Sequence, residues 1–110
     1  MSFVQLSAIK PKEIIPGYTV RFVHTGNMTF AYWDVKAGSP LPEHSHHHEQ
    51  VANVLDGEYE LTIDGETKRL KPGQVAVIPS NVKHSGMAIT DCKLLDVFCP
   101  VREDYLGTND

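Results

Sequence analysis

The sequence predicts an all-β chain, a sandwich or closed barrel in one domain, on three observations. Helical periodicity is weak from end to end. Short runs rich in β-branched and aromatic residues recur at close spacing instead. Proline and glycine (Pro40, Pro42, Gly57, Pro72, Gly73, Pro79 and Gly86) are read as falling between those runs, where edges and turns require them. No linker, repeat or low-complexity stretch divides the 110 residues, so residues 1–110 are read as one domain around one core.

The elements follow in order. MTFAYWDVKAG, from Met28, reads as a strand. EYELTIDGETKRL reads as a hairpin, with Tyr59, Leu61 and Ile63 on one face and Glu58, Glu60, Thr62 and Asp64 on the other. Asp64-Gly65 supplies the left-handed backbone angles of its tight turn. KPGQVAVIPSN predicts a short buried strand, Val75 to Ile78, between a Pro-Gly turn and Pro79. GMAIT and KLLDVFC predict two more strands. The core is expected to draw on Leu61, Ile63, Val77 and Ile78.

The formal charge of −4 offers no global attraction to nucleic acid or to an anionic membrane, so an anionic ligand needs local positive charge. No apolar run reaches the ~18 residues of a membrane-spanning helix. The opening MSFVQLSAIKPKEI has neither the basic start nor the apolar block of a secretory signal. Cys92 and Cys99 flank KLLDVF, an extended segment that holds them too far apart to pair. Free thiols fit a reducing, cytoplasmic setting.

HSHHHEQ, residues 44–50, holds four of the six histidines. Imidazoles at one-residue spacing lie on the same side of an extended strand, which is how a strand offers two of them to one metal ion. His44, His46 and Gln50 share parity; His47 and Glu49 face the other way, toward solvent. His48 shares the inward parity as well, so a bend before Gln50 has to remove it. His84 follows the proline that ends a predicted strand, where a side chain faces a rim or cavity. His24, in RFVHTG, reads as an ordinary strand histidine.

A second anomaly is Asp96, which interrupts the apolar run KLLDVFCPVRED. Leu94, Asp96 and Phe98 share one face, and Leu95, Val97 and Cys99 the other. Alternation alone leaves open which face looks inward. A buried carboxylate has to be paired or to do chemistry. Arg102, beyond Pro100, is within reach of the barrel mouth for a bidentate grip on a ligand carboxylate.

Two segments carry a family resemblance. Residues 38–57, GSPLPEHSHHHEQVANVLDG, and residues 73–84, GQVAVIPSNVKH, resemble the paired motifs of the cupin superfamily. The resemblance implies a single-domain double-stranded β-helix, a jelly-roll barrel, with one divalent metal ion on His44, His46, Gln50 and His84. The pattern usually has glutamate where Gln50 stands. Three neutral imidazoles and an amide leave the ion its full positive charge, which suits an anionic substrate and a Lewis-acid role rather than redox work. Ni²⁺, Zn²⁺, Mn²⁺, Fe²⁺ and Co²⁺ all accept imidazole, so the metal stays open.

With VIPSNVKHSG around the last histidine and DVFCPVREDY near the C-terminus, the chain resembles more narrowly the KdgF cupins of pectin and alginate degradation. That resemblance implies linearisation of 4,5-unsaturated monouronates to 4-deoxy-5-keto uronates. It places Asp96, Phe98 and Arg102 in the active site, along residues 93–102, with Phe98 and Arg102 also binding substrate. The substrate is an unsaturated galacturonate, mannuronate or guluronate, with no nucleic acid or membrane partner and a homodimer as the expected assembly. Other readings are a metal-dependent dioxygenase or isomerase on a similar barrel, separable by O₂ consumption, and a non-catalytic small-molecule binder.

Overall fold

The computed structural model describes residues 2–106. Ten strands form: β1 (Lys12–Ile15), β2 (Tyr18–His24), β3 (Thr29–Val35), β4 (Pro40–His44), β5 (Glu49–Asp56), β6 (Tyr59–Ile63), β7 (Glu66–Leu70), β8 (Val75–Ile78), β9 (His84–Ala88) and β10 (Cys92–Cys99). They make a six-stranded sheet, β1-β2-β3-β10-β5-β8, and a four-stranded sheet, β4-β9-β6-β7. The strand pairings are antiparallel, and the two sheets close on each other as a jelly roll. No helix of the described residues is long and apolar enough to cross a membrane.

The hairpin β6–β7 turns on Asp64 (φ 48°) and Gly65 (φ 83°), the left-handed pair that Asp-Gly predicts. Period-two alternation then sorts each strand into an inner and an outer row. One inner row runs His24, Thr29, Phe98, Gln50, Ile78 across five strands. The next runs Phe22, Ala31, Asp96, Ala52, Ala76. Asp96 thus has alanines on both sides. Their missing bulk leaves room for a carboxyl inside the barrel. Asp96 sits on the face of β10 that carries buried Leu94 and Phe98, so this is the inward face.

Several expectations need correction. Val75 to Ile78 is a strand, but not a buried one: Ile78 is sealed, whereas Val75 and Val77 are 52% and 60% exposed. β8 is the edge of the larger sheet, and its alternate residues face outward, so Val77 is not part of the core. Pro40 and Pro42 lie within β4 rather than between elements. This is tolerable because β4 is the edge of the smaller sheet, where a missing N–H leaves no central ladder broken. Gly86 lies within β9 under the Tyr59 ring; a Cβ there would collide with the Tyr59 hydroxyl. Cys92 and Cys99 are free, at opposite ends of β10.

Candidate functional site

β4 and β9 pair with His44 directly opposite His84, which sets their rings 4.2 Å apart. The chain leaves β4 and bends, bringing the His46 ring to 5.0 Å from His84 and 5.6 Å from His44. One nitrogen from each of the three lies within 4.8 Å of the others. In each ring Nδ1 meets a backbone carbonyl: His44 that of Pro42 (2.8 Å), His46 that of His48 (3.0 Å) and His84 that of Val82 (2.9 Å). A carbonyl only accepts, so Nδ1 carries the proton and Nε2 keeps a free lone pair. The Nε2 atoms of His46 and His84 are buried with no hydrogen-bond partner among the described residues. Buried polar atoms left so are rare unless something else binds them. Burial, then the nearby Arg102 guanidinium and the His84 ring, push His46 down to about 4; burial also lowers His84. Neutral rings with oriented Nε2 lone pairs fit a divalent ion of the imidazole-accepting kind.

The opposite wall carries the acid. Burial pushes the Asp96 carboxyl up to about 6, even though part of it meets the cavity, against the lowering effects of the Gln50 amide, the Trp33 indole and Arg102. Trp33 Nε1 is buried without a hydrogen-bond partner among the described residues, and the Gln50 amide has the larger lowering effect on the carboxyl. An amide donates through nitrogen and keeps its oxygen as an acceptor. Gln50 can therefore face Asp96 with one end and a cation with the other, which a glutamate cannot do.

Arg102 is buried, with its guanidinium 4.7 Å from the Phe98 ring centre and 4.3 Å from that of Tyr105. Its Nε and Nη2 donate to the two oxygens of Asp104 at 3.0 and 2.7 Å. Its backbone N–H donates to Thr29 Oγ1 at 2.8 Å. Nη1 makes no hydrogen bond among the described residues, and it is not sealed from solvent. That edge of the fork is left open, and Arg102 lines the cavity between the two walls.

A cavity of about 100 Å³ lies between these walls. His44, Gln50, His84, Asp96, Phe98 and Arg102 all line it. His46 joins through its ring contacts with His84 and Phe98, the latter at 5.7 Å. The whole expected set therefore converges on one space. Residues 31–98, which span most of these positions, match the model of the cupin domain family. The chain belongs to the cupin family. This cupin is 35% identical over 60 residues to the pectin degradation protein KdgF of Dickeya dadantii, a match that spans 54% of each chain. The chain thus aligns with only about half the length of that curated relative. In structure it is similar to KdgF from a Halomonas species, with a TM-score of 0.91, 28% identity, and coverage of 96% of this chain and 99% of that one. An oxalate decarboxylase variant of Bacillus subtilis shares the fold at TM-score 0.78 and 21% identity, over 88% of this chain and 29% of that one.

The cupin also places residues that sequence reasoning did not single out. Asp104, Thr29 and Trp33 hold Arg102 or approach Asp96, and only Asp104 had a local signal, its i+2 spacing from Arg102. His48 is removed from the three-histidine cluster by a bend at residues 47 and 48, as expected. It is nevertheless buried, and it points at Glu103 (3.3 Å) with exposed His47 beside it. His24 bonds through Nδ1 to Thr29 Oγ1 at 2.8 Å. Thr29 Oγ1 also accepts from the Arg102 backbone N–H, so the strand histidine steadies the Arg102 backbone at one remove.

Proposed function

We propose that this cupin linearises 4,5-unsaturated monouronates from pectin or alginate lyase action, yielding 4-deoxy-5-keto uronates. The observation that carries the reading is Asp96. It is a carboxyl raised to about 6 and set in the same cavity as a three-histidine cluster and an arginine with a free edge. The likeness to KdgF in fold and in half of the sequence supports the substrate class. Opening the C1–O5 bond removes the proton of the C1 hydroxyl and leaves an enolate at C5; delivery of that proton to C4 gives the C5 ketone, an isomerisation with no net redox change. A single carboxyl that ionises near neutral pH suits the transfer of that proton.

His44, His46 and His84 would hold one divalent ion through Nε2, with the Gln50 amide oxygen as a fourth ligand. When bound, the ion supplies Lewis acidity toward the anionic end of the substrate. Gln50 adds no charge to the donor set and at the same time donates to Asp96, which keeps Asp96 from rising further. Arg102 Nη1 binds the substrate carboxylate while Asp104 holds the other edge of the fork. Phe98 walls the cavity beside Asp96 and excludes water from it.

The outer face of the larger sheet supports a homodimer. Val23, Phe30, Val97, Val51 and Val77 lie in one continuous row across five strands, and the next row runs Arg21, Tyr32, Leu95, Asn53 and Val75. Two such rows pressed together would bury an apolar patch that is unusual on a monomer's surface. The free thiols fit a cytoplasmic setting.

The test is turnover of a lyase-generated unsaturated monouronate by the metal-loaded protein, followed as loss of absorbance from the conjugated double bond. Decay far above the spontaneous rate, with the 4-deoxy-5-keto acid as product, is expected. An unchanged rate with saturating metal and substrate sinks the proposal.

A further inference from the structure

Outside the cavity, a second set of metal-type donors is already assembled. His47, His48 and Glu103 place one ligand atom each within 4.8 Å of the others. The bend after His46 lays the two neighbouring rings against each other, with centres 3.9 Å apart and planes tilted by 33°. Both Nε2 atoms then face one carboxylate, His47 at 3.6 Å from Oε1 and His48 at 3.3 Å from Oε2. A divalent ion that holds nitrogen and oxygen ligands at about 2.0–2.2 Å sets neighbouring ligand atoms about 3–3.5 Å apart. The His48–Glu103 separation lies in that span, the His47–Glu103 separation just beyond it, and all three ligand atoms fall within 4.8 Å of one another, so small side-chain adjustments complete the site. The His48 side chain is only 4% exposed, so one donor is fixed before any ion arrives, whereas His47 and Glu103 stand in solvent and leave positions for water.

We propose that His47, His48 and Glu103 form a second divalent-cation site, for a borderline ion such as Zn²⁺, separate from the three-histidine cluster. Two imidazoles and a carboxylate select such ions over Mg²⁺ or Ca²⁺, which favour all-oxygen ligands. The site joins the segment of residues 45–48, between β4 and β5, to the turn Glu103–Tyr105. That turn carries Asp104 and Tyr105, both packed on Arg102. An ion bound here pins that turn to the mouth of the barrel.

The chemistry also sets the order of filling. In the first cluster every Nδ1–H already has a carbonyl acceptor. His48 Nδ1 is buried with no partner, so ligation through Nε2 places its proton where nothing accepts it. Lacking that outer hydrogen bond, the second site should bind about 10–100-fold more weakly than the first.

The experiment titrates the metal-free full chain with Zn²⁺ alone, reading stoichiometry by equilibrium dialysis and elemental analysis. Wild type should take two equivalents in two steps. Glu103→Gln and His47→Ala should each take one, with the tight step unchanged, and His44→Ala should lose the tight step and keep the weak one. Glu103 and His47 are exposed, and circular dichroism checks that each variant folds. Saturation of wild type at one equivalent overturns the proposal, as does a second equivalent that survives both substitutions.

Discussion

His44, His46 and His84 each reach a carbonyl two positions away, whereas Asp96 and Arg102 draw on distant strands. Asp96 faces Gln50 from β5 and Trp33 from β3, and the Arg102 backbone is tied to Thr29, 73 positions earlier. The histidine wall is oriented by its own short segments and needs the fold only to pair β4 with β9. The acid wall exists only once β3, β5 and β10 are side by side. Local wiring makes the orientation of the imidazoles robust, while long-range wiring makes the Asp96 carboxyl sensitive to its neighbours.

Breaking the histidine wall should have the largest effect. His84→Ala removes a buried Nε2 that has no hydrogen-bond partner among the described residues, so metal should be lost and turnover with it. The fold should persist, because Tyr59, Leu61, Val54, Ile78 and Leu94 pack without the ion. Elemental analysis together with circular dichroism checks both halves; one metal per chain retained in the variant would overturn the ligand assignment.

On the acid wall, Asp96→Asn keeps size and polarity but cannot carry a proton at neutral pH. Turnover should fall about 10²–10⁴-fold with substrate affinity largely retained. The same substitution has a stability signature in the metal-free protein. The folded carboxyl titrates near 6 against an ordinary value of 3.8. Below about pH 4 both folded and unfolded chains hold the proton, so burial of Asp96 carries no ionisation penalty. Between those values the unfolded chain ionises first, and stability falls as pH rises; above about pH 6 the full penalty, about 2–3 kcal/mol, is in place. Asn lacks this slope. Urea unfolding at pH 4 and pH 7 should show the variant gaining on wild type only at the higher pH, and a gap that does not change with pH counts against the buried acid.

Arg102→Ala should raise KM before it lowers kcat, by about 2–5 kcal/mol of substrate affinity, because a carboxylate grip is made in ground and transition states alike. Steady-state kinetics on the unsaturated monouronate separate the two; a loss confined to kcat would move Arg102 from binding to chemistry. The smallest effect belongs to Gln50→Glu, which should hold metal at least as well. It should weaken the anionic substrate by about 1–2 kcal/mol and shift the pH profile upward, since Asp96 loses a donor and gains a negative neighbour. An unchanged profile would mean that Gln50 does not tune Asp96.

What the sequence determined by itself is what short-range chemistry controls. Asp64-Gly65 demands left-handed angles, and the hairpin follows. The one-residue spacing of His44 and His46 puts their rings on one side of the chain, the cupin resemblance adds His84, and the three rings gather in one cluster. Tertiary structure decided whatever depends on a partner surface. Val77 and Ile78 are equally apolar neighbours, yet one is exposed and the other sealed. Asp96 was equally compatible with either side of β10 until Ala31 and Ala52 proved to flank it. Period-two alternation separates two faces without naming which is inside. Only the second sheet, closing over one of them, excludes water there and so turns an ordinary aspartate into one that titrates near neutrality.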